Sequence, residues 1–259
     1  MANFMKLVHN ENIKIYSRVR TWVMLGILVL LSALFPVLIS YSTSEDTSMW
    51  QGVVLTATIV FMLNSIFAVI IAADSVAGEF SWGTIKLLLI RPWSRSKILI
   101  SKYIAVILFS LLTTVVLLVL SLLFSSLFLG GQEGSAPLSG NVSDGTYVAL
   151  TFLYNYVDLF VILALAFMLS SVFRSSALAI GLSIFIIFTS SIFAAIFSPE
   201  RFSWAKYILF NNMDLTRFIG TDVDANGLTL GFSAAVMAVY YIIFLVVGWL
   251  IFNRRDVAA

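Results

Sequence analysis

Six apolar runs, each long enough to cross a bilayer, dominate this sequence. They cover roughly 22–41, 53–73, 99–129, 148–173, 176–197 and 231–252. A crossing helix needs about 20 such residues. Backbone amides and carbonyls find no partner in hydrocarbon, so each run must fold as a helix. The third run exceeds what one crossing needs, so it either tilts or protrudes. The expectation is an all-α polytopic membrane protein with six transmembrane helices, a single domain over residues 1–259.

Composition supports this. Of the 259 residues, 61% are hydrophobic and only 11% charged. A soluble domain carries about 25% charged residues, so water is the wrong solvent for this chain. The formal net charge of +2 is too small to suggest nucleic acid as a partner. Cysteine is absent and His9 is the sole histidine. That excludes a disulfide framework, a thiol nucleophile and a histidine-based metal cluster.

The cations are sorted by side. Lys6, Lys14, Arg18 and Arg20 precede the first run. Lys86, Arg91, Arg95, Lys97 and Lys102 follow the second, Arg174 follows the fourth, and Arg254 and Arg255 follow the sixth. The opposite side has only Arg201, Lys206 and Arg217, while its loops 42–52 and 130–147 hold Glu45, Asp46, Glu133 and Asp144. Positive residues stay inside, so both termini are expected in the cytoplasm. The first run is too long for the core of a signal peptide and reads as a retained helix.

Two elements are expected at the cytoplasmic edge. Residues 1–20 read as an interfacial helix with Phe4, Val8, Ile15 and Val19 on one side and Lys6, Asn10, Ser17 and Arg20 opposite; Glu11 interrupts the apolar stripe. A plain amphipathic anchor fits the same pattern. Residues 78–97, GEFSWGTIKLLLIRPWSRSK, are the most polar cluster in the chain. Here Ser81, Gly83 and Thr84 break the second span, and Thr84 can cap a short helix from Ile85 to Ile90. Arg91-Pro92 ends that helix, and Ser94 can cap the third span. On spacing alone, an ordinary inside loop whose cations only fix topology is the simpler reading.

The run from Asp74 to Arg95 resembles the hallmark of ABC-2 type transporter permeases: Glu79, then Gly83-Thr84, Leu87-Leu88-Leu89, Pro92, Ser94-Arg95, and Lys97 or Lys102. Leu169–Ser175 and the tail Phe252–Asp256 are similar to the matching parts of such permeases, as is the six-span plan. The resemblance implies that the segment between spans two and three is a coupling helix seated on a separate cytoplasmic ATPase subunit. It assigns that coupling to Glu79, Gly83, Thr84, Lys86, Arg91, Pro92 and Arg95. Glu79, Arg91 and Arg95 would make charge-assisted contacts with that partner or with the N-terminal helix. It also implies a second permease copy, or a similar permease, as partner.

The chain has no Gly-x-x-x-x-Gly-Lys-Ser/Thr loop, so ATP and Mg belong to the other polypeptide. Leu129-Gly130-Gly131-Gln132-Glu133 imitates an ATPase signature loop but falls on the outer side and reads as a flexible turn.

Within the spans, Asp158 is the one carboxylate expected deep in an apolar run, with Asn155 beside it; Asn64 is similar in the second span. Each is read either as part of a translocation path or as a helix-packing hydrogen bond. The outer loop 198–230 is expected to carry short helices, with Trp204 and Tyr207 as belt anchors. Gly26, Gly181, Gly231 and Gly248 offer close helix approach without defining a dimer face.

The function expected from all this is the membrane-spanning subunit of an exporter of drugs, peptides or other small amphipathic cargo. The alternatives are a non-transporting sensor or assembly subunit and an ATP-independent secondary transporter. Against the second, the spans lack a duplicated six-helix half, a string of membrane carboxylates or paired Gly/Pro-broken helices. A membrane enzyme would need a nucleophile or acid–base cluster that the sequence does not offer.

Overall fold

The computed structural model describes residues 2–42, 47–84, 93–129, 137–224 and 227–254. Those residues form α1 (Ala2–Tyr16), α2 (Val19–Ser42), α3 (Met49–Ser81), α4 (Arg95–Phe128), α5 (Asp144–Val172), α6 (Ser176–Ile196), α7 (Leu209–Asn212) and α8 (Leu230–Arg254). Short 3₁₀ turns at Ser203–Tyr207 and Leu215–Phe218 flank α7. Among the described residues the β structure is one isolated bridge, Val223 with Thr229. Helices α2, α3, α4, α5, α6 and α8 are each long and apolar enough to cross a membrane. The protein is an all-α, multi-pass membrane protein.

Helix α3 is the axis of the bundle. It packs against α2, α4, α5 and α6. Of its apolar stretch 56% is buried, against 11% for α6 at the periphery. Lipid is as apolar as leucine, so helices associate by close packing. The sequence provides for that with small residues: Ala57, Ala68, Ala72, Ala73 and Ala77 of α3 are all buried. Phe109 and Leu117 of α4 and Leu159 and Leu163 of α5 fill the space around them. At Gly248 of α8, an added methyl group would lie 3.4 Å from the Met168 backbone of α5, so glycine sets that approach. Open space surrounds Gly26, Gly181 and Gly231 instead.

One helix differs from the sequence reading, and another outruns its apolar stretch. The helix of the second span does not stop with its apolar run near residue 73. It runs on through Asp74 and Glu79 to Ser81, for 33 residues. At 1.5 Å per residue that is about 50 Å, well beyond the roughly 30 Å hydrocarbon core. The polar turns therefore project from the apolar stretch as continuous helix. The helix stops where expected: Trp82 caps it, and Gly83 adopts φ +69°, a left-handed turn suited to glycine. The N-terminal helix ends at Tyr16, so Val19 belongs to α2 and is exposed. Leu7 and Val8 are buried, and α1 packs on the start of α4. Glu11 does not break that packed side. It is buried within it.

Ser94 caps α4 as expected, accepting from the Lys97 amide at 3.4 Å. The short helix expected over 85–90, the residues Lys86, Arg91 and Pro92, and the turn at 130–133 lie outside the described residues. The outer loop folds as expected into short helical turns, with Trp204 and Tyr207 exposed.

Candidate functional site

The last two turns of α3 gather polar side chains from five other helices. Two carboxylates five residues apart, Asp74 and Glu79, point to different neighbours. Asp74 accepts hydrogen bonds from Arg18, from Arg20 and from the Ser176 hydroxyl at the start of α6. Glu79 accepts from Lys14 of α1 at 2.8 Å, from Lys102 of α4 at 3.1 Å, and from Thr84.

Glu11 completes the second node. Lys102 Nζ donates to Glu11 Oε2 at 2.8 Å, and Lys14 Nζ donates to Glu11 Oε1 at 2.8 Å. Two lysines and two glutamates thus alternate across α1, α3 and α4. Lys102 is 3% exposed and Glu11 6%. A lone buried charge is very costly, and this reciprocal pairing is what makes both burials tolerable. Lys14, on the open side, holds its proton above the ordinary value of 10.5. Burial alone would lower it, but the hydrogen bonds to Glu11 and Glu79 outweigh burial.

Further ties converge at the same end. The Ser81 hydroxyl accepts from the Ser176 amide at 2.9 Å and meets the Arg174 carbonyl at 3.2 Å. Ser170 of α5 accepts from the Val76 and Ala77 amides of α3. Arg95 donates to the Asn253 carbonyl at 3.0 Å, which joins the start of α4 to the end of α8. Both ends of the described chain therefore lie at one end of the bundle. An open groove of about 1050 Å³ runs between the starts of α2 and α6 and the end of α3, lined by Lys14, Arg18, Arg20, Asp74, Glu79 and Ser176 among others. Its chemistry is that of a charged joint.

Of the residues expected to couple, Glu79 and Thr84 meet this joint, Gly83 forms the turn beside it, and Arg95 ties the start of α4 to the end of α8. For Glu79 the contact with the N-terminal helix is the one formed. Sequence reasoning misses Asp74 and Glu11 as site residues and offers Lys102 only as the motif's alternative to Lys97. Asp74 is 4% exposed, so a carboxylate besides Asp158 is buried in a membrane-crossing helix, though past the end of its apolar run. The spacing of Glu11 and Lys14, three apart on a helix, was the available signal.

The residues read as a translocation path are not brought into one site. Asn64 donates to the Thr114 hydroxyl at 3.0 Å, in the seam of α3 and α4. Asp158 faces the outer loop, where its carboxylate accepts from the Asp214 amide at 3.0 Å. Asp214 sits at φ 69°, so the loop is bent to offer that amide. Asn155 lies one turn before Asp158 and is half-buried. Beyond it, Arg217 pairs with Asp224 at 3.1 Å, and Asn211 binds the carbonyls of Phe197 and Ala205.

Residues 21–258 match the family described as "Protein of unknown function (DUF2705)". The chain is 37% identical to the "Uncharacterized protein YhcI" of Bacillus subtilis (strain 168), over 98% of this chain and 99% of that protein. It is 31% identical to the "Uncharacterized membrane protein YdbK" of the same organism, over 76% of this chain and 78% of that protein. With a match that runs from near the start of α2 to beyond the end of α8, the chain belongs to the DUF2705 family.

Proposed function

We propose that this chain is the permease subunit of an ATP-binding cassette exporter. It lies in the cell membrane with both termini and the α3 joint in the cytoplasm. A second copy, or a similar permease, completes the path. A separate ATPase subunit carries ATP and Mg and drives it. The cargo is a drug, a peptide or another small amphipathic molecule.

The observation that carries this reading is the joint itself. A coupling element works only if force on one short segment reaches many helices. The end of α3 is tied by ion pairs or hydrogen bonds to α1, α2, α4 and α6. A push delivered just beyond Thr84 thus has a stiff route into most of the bundle, as interface-driven transitions require. The clustering of cations at this end supports its cytoplasmic placement.

The test uses the absence of cysteine. Trp82, 77% exposed at the end of α3, becomes the sole thiol in Trp82→Cys. A bifunctional thiol reagent should join it to a subunit bearing a phosphate loop, and added ATP should change the yield. A purified chain that moves cargo with no such subunit present would refute the proposal. Charge reversal at Glu79 is a poorer test, because it breaks the internal joint first.

A further inference from the structure

A second feature lies on the face of the bundle that meets lipid. Between α4 and α8, over α5, runs an apolar groove of about 260 Å³. Ile100 and Tyr103 of α4, Phe167 of α5, and Leu245, Val246 and Trp249 of α8 line it. Its wall on α4 spans Leu99 to Tyr103, about 6 Å along the axis at 1.5 Å per residue. That length suits a few methylenes, not a helix.

The groove has a polar rim. Ser96 accepts from Trp249 Nε1 at 2.9 Å and from Asn253 Nδ2 at 3.3 Å, which closes the groove at the basic end. One turn from Ile100, Lys97 is exposed, with its ammonium 5.8 Å from the Trp93 ring centre. Arg254 is exposed at the end of α8. Among the described residues neither Lys97 nor Arg254 meets a carboxylate, whereas Lys14, Arg18, Arg20 and Lys102 all do. Trp249 and Trp93, with polar handles beside apolar bodies, mark the headgroup level. So an apolar slot opens just below headgroup depth, beneath Lys97 and Arg254.

We infer that this groove is a site for an anionic phospholipid. Its phosphate lies at Lys97 and Arg254, and the first methylenes of one acyl chain lie against Ile100, Phe167 and Trp249. Basic residues at a membrane edge draw anionic headgroups, and a groove below them adds the apolar contact that a free phosphate cannot use.

Quenching of Trp249 fluorescence by brominated lipids tests this. The full chain is reconstituted with dibrominated phosphatidylglycerol or dibrominated phosphatidylcholine, and the Trp249 share is the difference from Trp249→Phe. Phosphatidylglycerol should quench that share preferentially. Lys97→Gln should weaken the preference about fivefold, while Lys97→Arg keeps it. The inference fails if the two lipids quench alike or if the preference survives Lys97→Gln. It fails likewise if Trp249→Phe leaves the preference whole, or if inorganic phosphate abolishes it at constant ionic strength.

Discussion

Lys102 Nζ donates to Glu11 Oε2 across 2.8 Å, joining two residues 91 positions apart. Neither has water to fall back on. Removing the lysine leaves two glutamates with only the half-open Lys14 between them. Breaking a buried pair from one side costs about 3–5 kcal/mol, and Lys102→Met should fall near the lower end because Lys14 still serves both acids. Thermal unfolding in detergent would show it. The double variant Lys102→Met with Glu11→Gln should recover part of the loss. A Lys102→Met protein as stable as the parent would mean that the node is open to water.

Lys14 makes the same node dependent on alkaline pH. Its proton is held above the ordinary 10.5, so its contribution is complete below that value. It fades as pH rises through the higher folded-state value. Arginine keeps its charge throughout this range. Melting temperatures from neutral pH to beyond 10.5 should therefore fall less for Lys14→Arg than for the wild type. Parallel curves would remove Lys14 from the account.

Gly78 is held to glycine by a side chain rather than by backbone conformation. A methyl group there would lie 2.8 Å from Asp74 Oδ1. Carboxylates usually swing aside, but this one holds Arg18, Arg20 and Ser176. Gly78→Ala should therefore destabilise by about 1–3 kcal/mol, as overpacking does. Gly26→Ala enters open space and gains helix propensity, so it should be neutral or slightly stabilising. Equal stability of the two variants, compared by heat denaturation, would contradict this.

The membrane spans are legible in the sequence because lipid leaves the backbone no choice but helix. The charged joint is only half legible. Hydropathy stops counting the second span at Asp74, yet the helix continues because residues from α2 and α6 cover that carboxylate. Glu11 reads as a flaw in an amphipathic stripe until Lys102 is seen beside it. Lys102 reads as one more topology-fixing cation, or as the motif's alternative to Lys97. Its burial depends on partners in α1 and α3, and no local pattern announces contacts that distant. Ser94, by contrast, acts only on the turn that follows it, and its cap is readable directly.

Asn64 and Thr114 should behave as a helix-packing pair. Both are buried, and the Asn64 amide donates to the Thr114 hydroxyl at 3.0 Å. Hydrogen bonds between membrane helices average about 0.6 kcal/mol, with a maximum near 1.7. Thr114→Val should cost about that, with coupling to Asn64→Leu in a double-variant cycle. Strict additivity would show that the pair does not interact.

Asp158 separates a structural role from one in transport. Its carboxylate accepts the Asp214 amide and so fastens the outer loop to α5. Asparagine retains one carbonyl oxygen for that amide; alanine retains none. Asp158→Ala should leave the amide unsatisfied at about 1–3 kcal/mol and loosen the segment after Asn212. Limited proteolysis should then cut within residues 213–224 sooner in Asp158→Ala than in the wild type, with Asp158→Asn close to the wild type. A cargo contact predicts the opposite order: Asp158→Asn, having lost the charge, would already be impaired in transport with its loop intact. Measuring proteolysis and transport on the same two variants decides which role the carboxylate serves, because only the fastening role makes asparagine an adequate substitute.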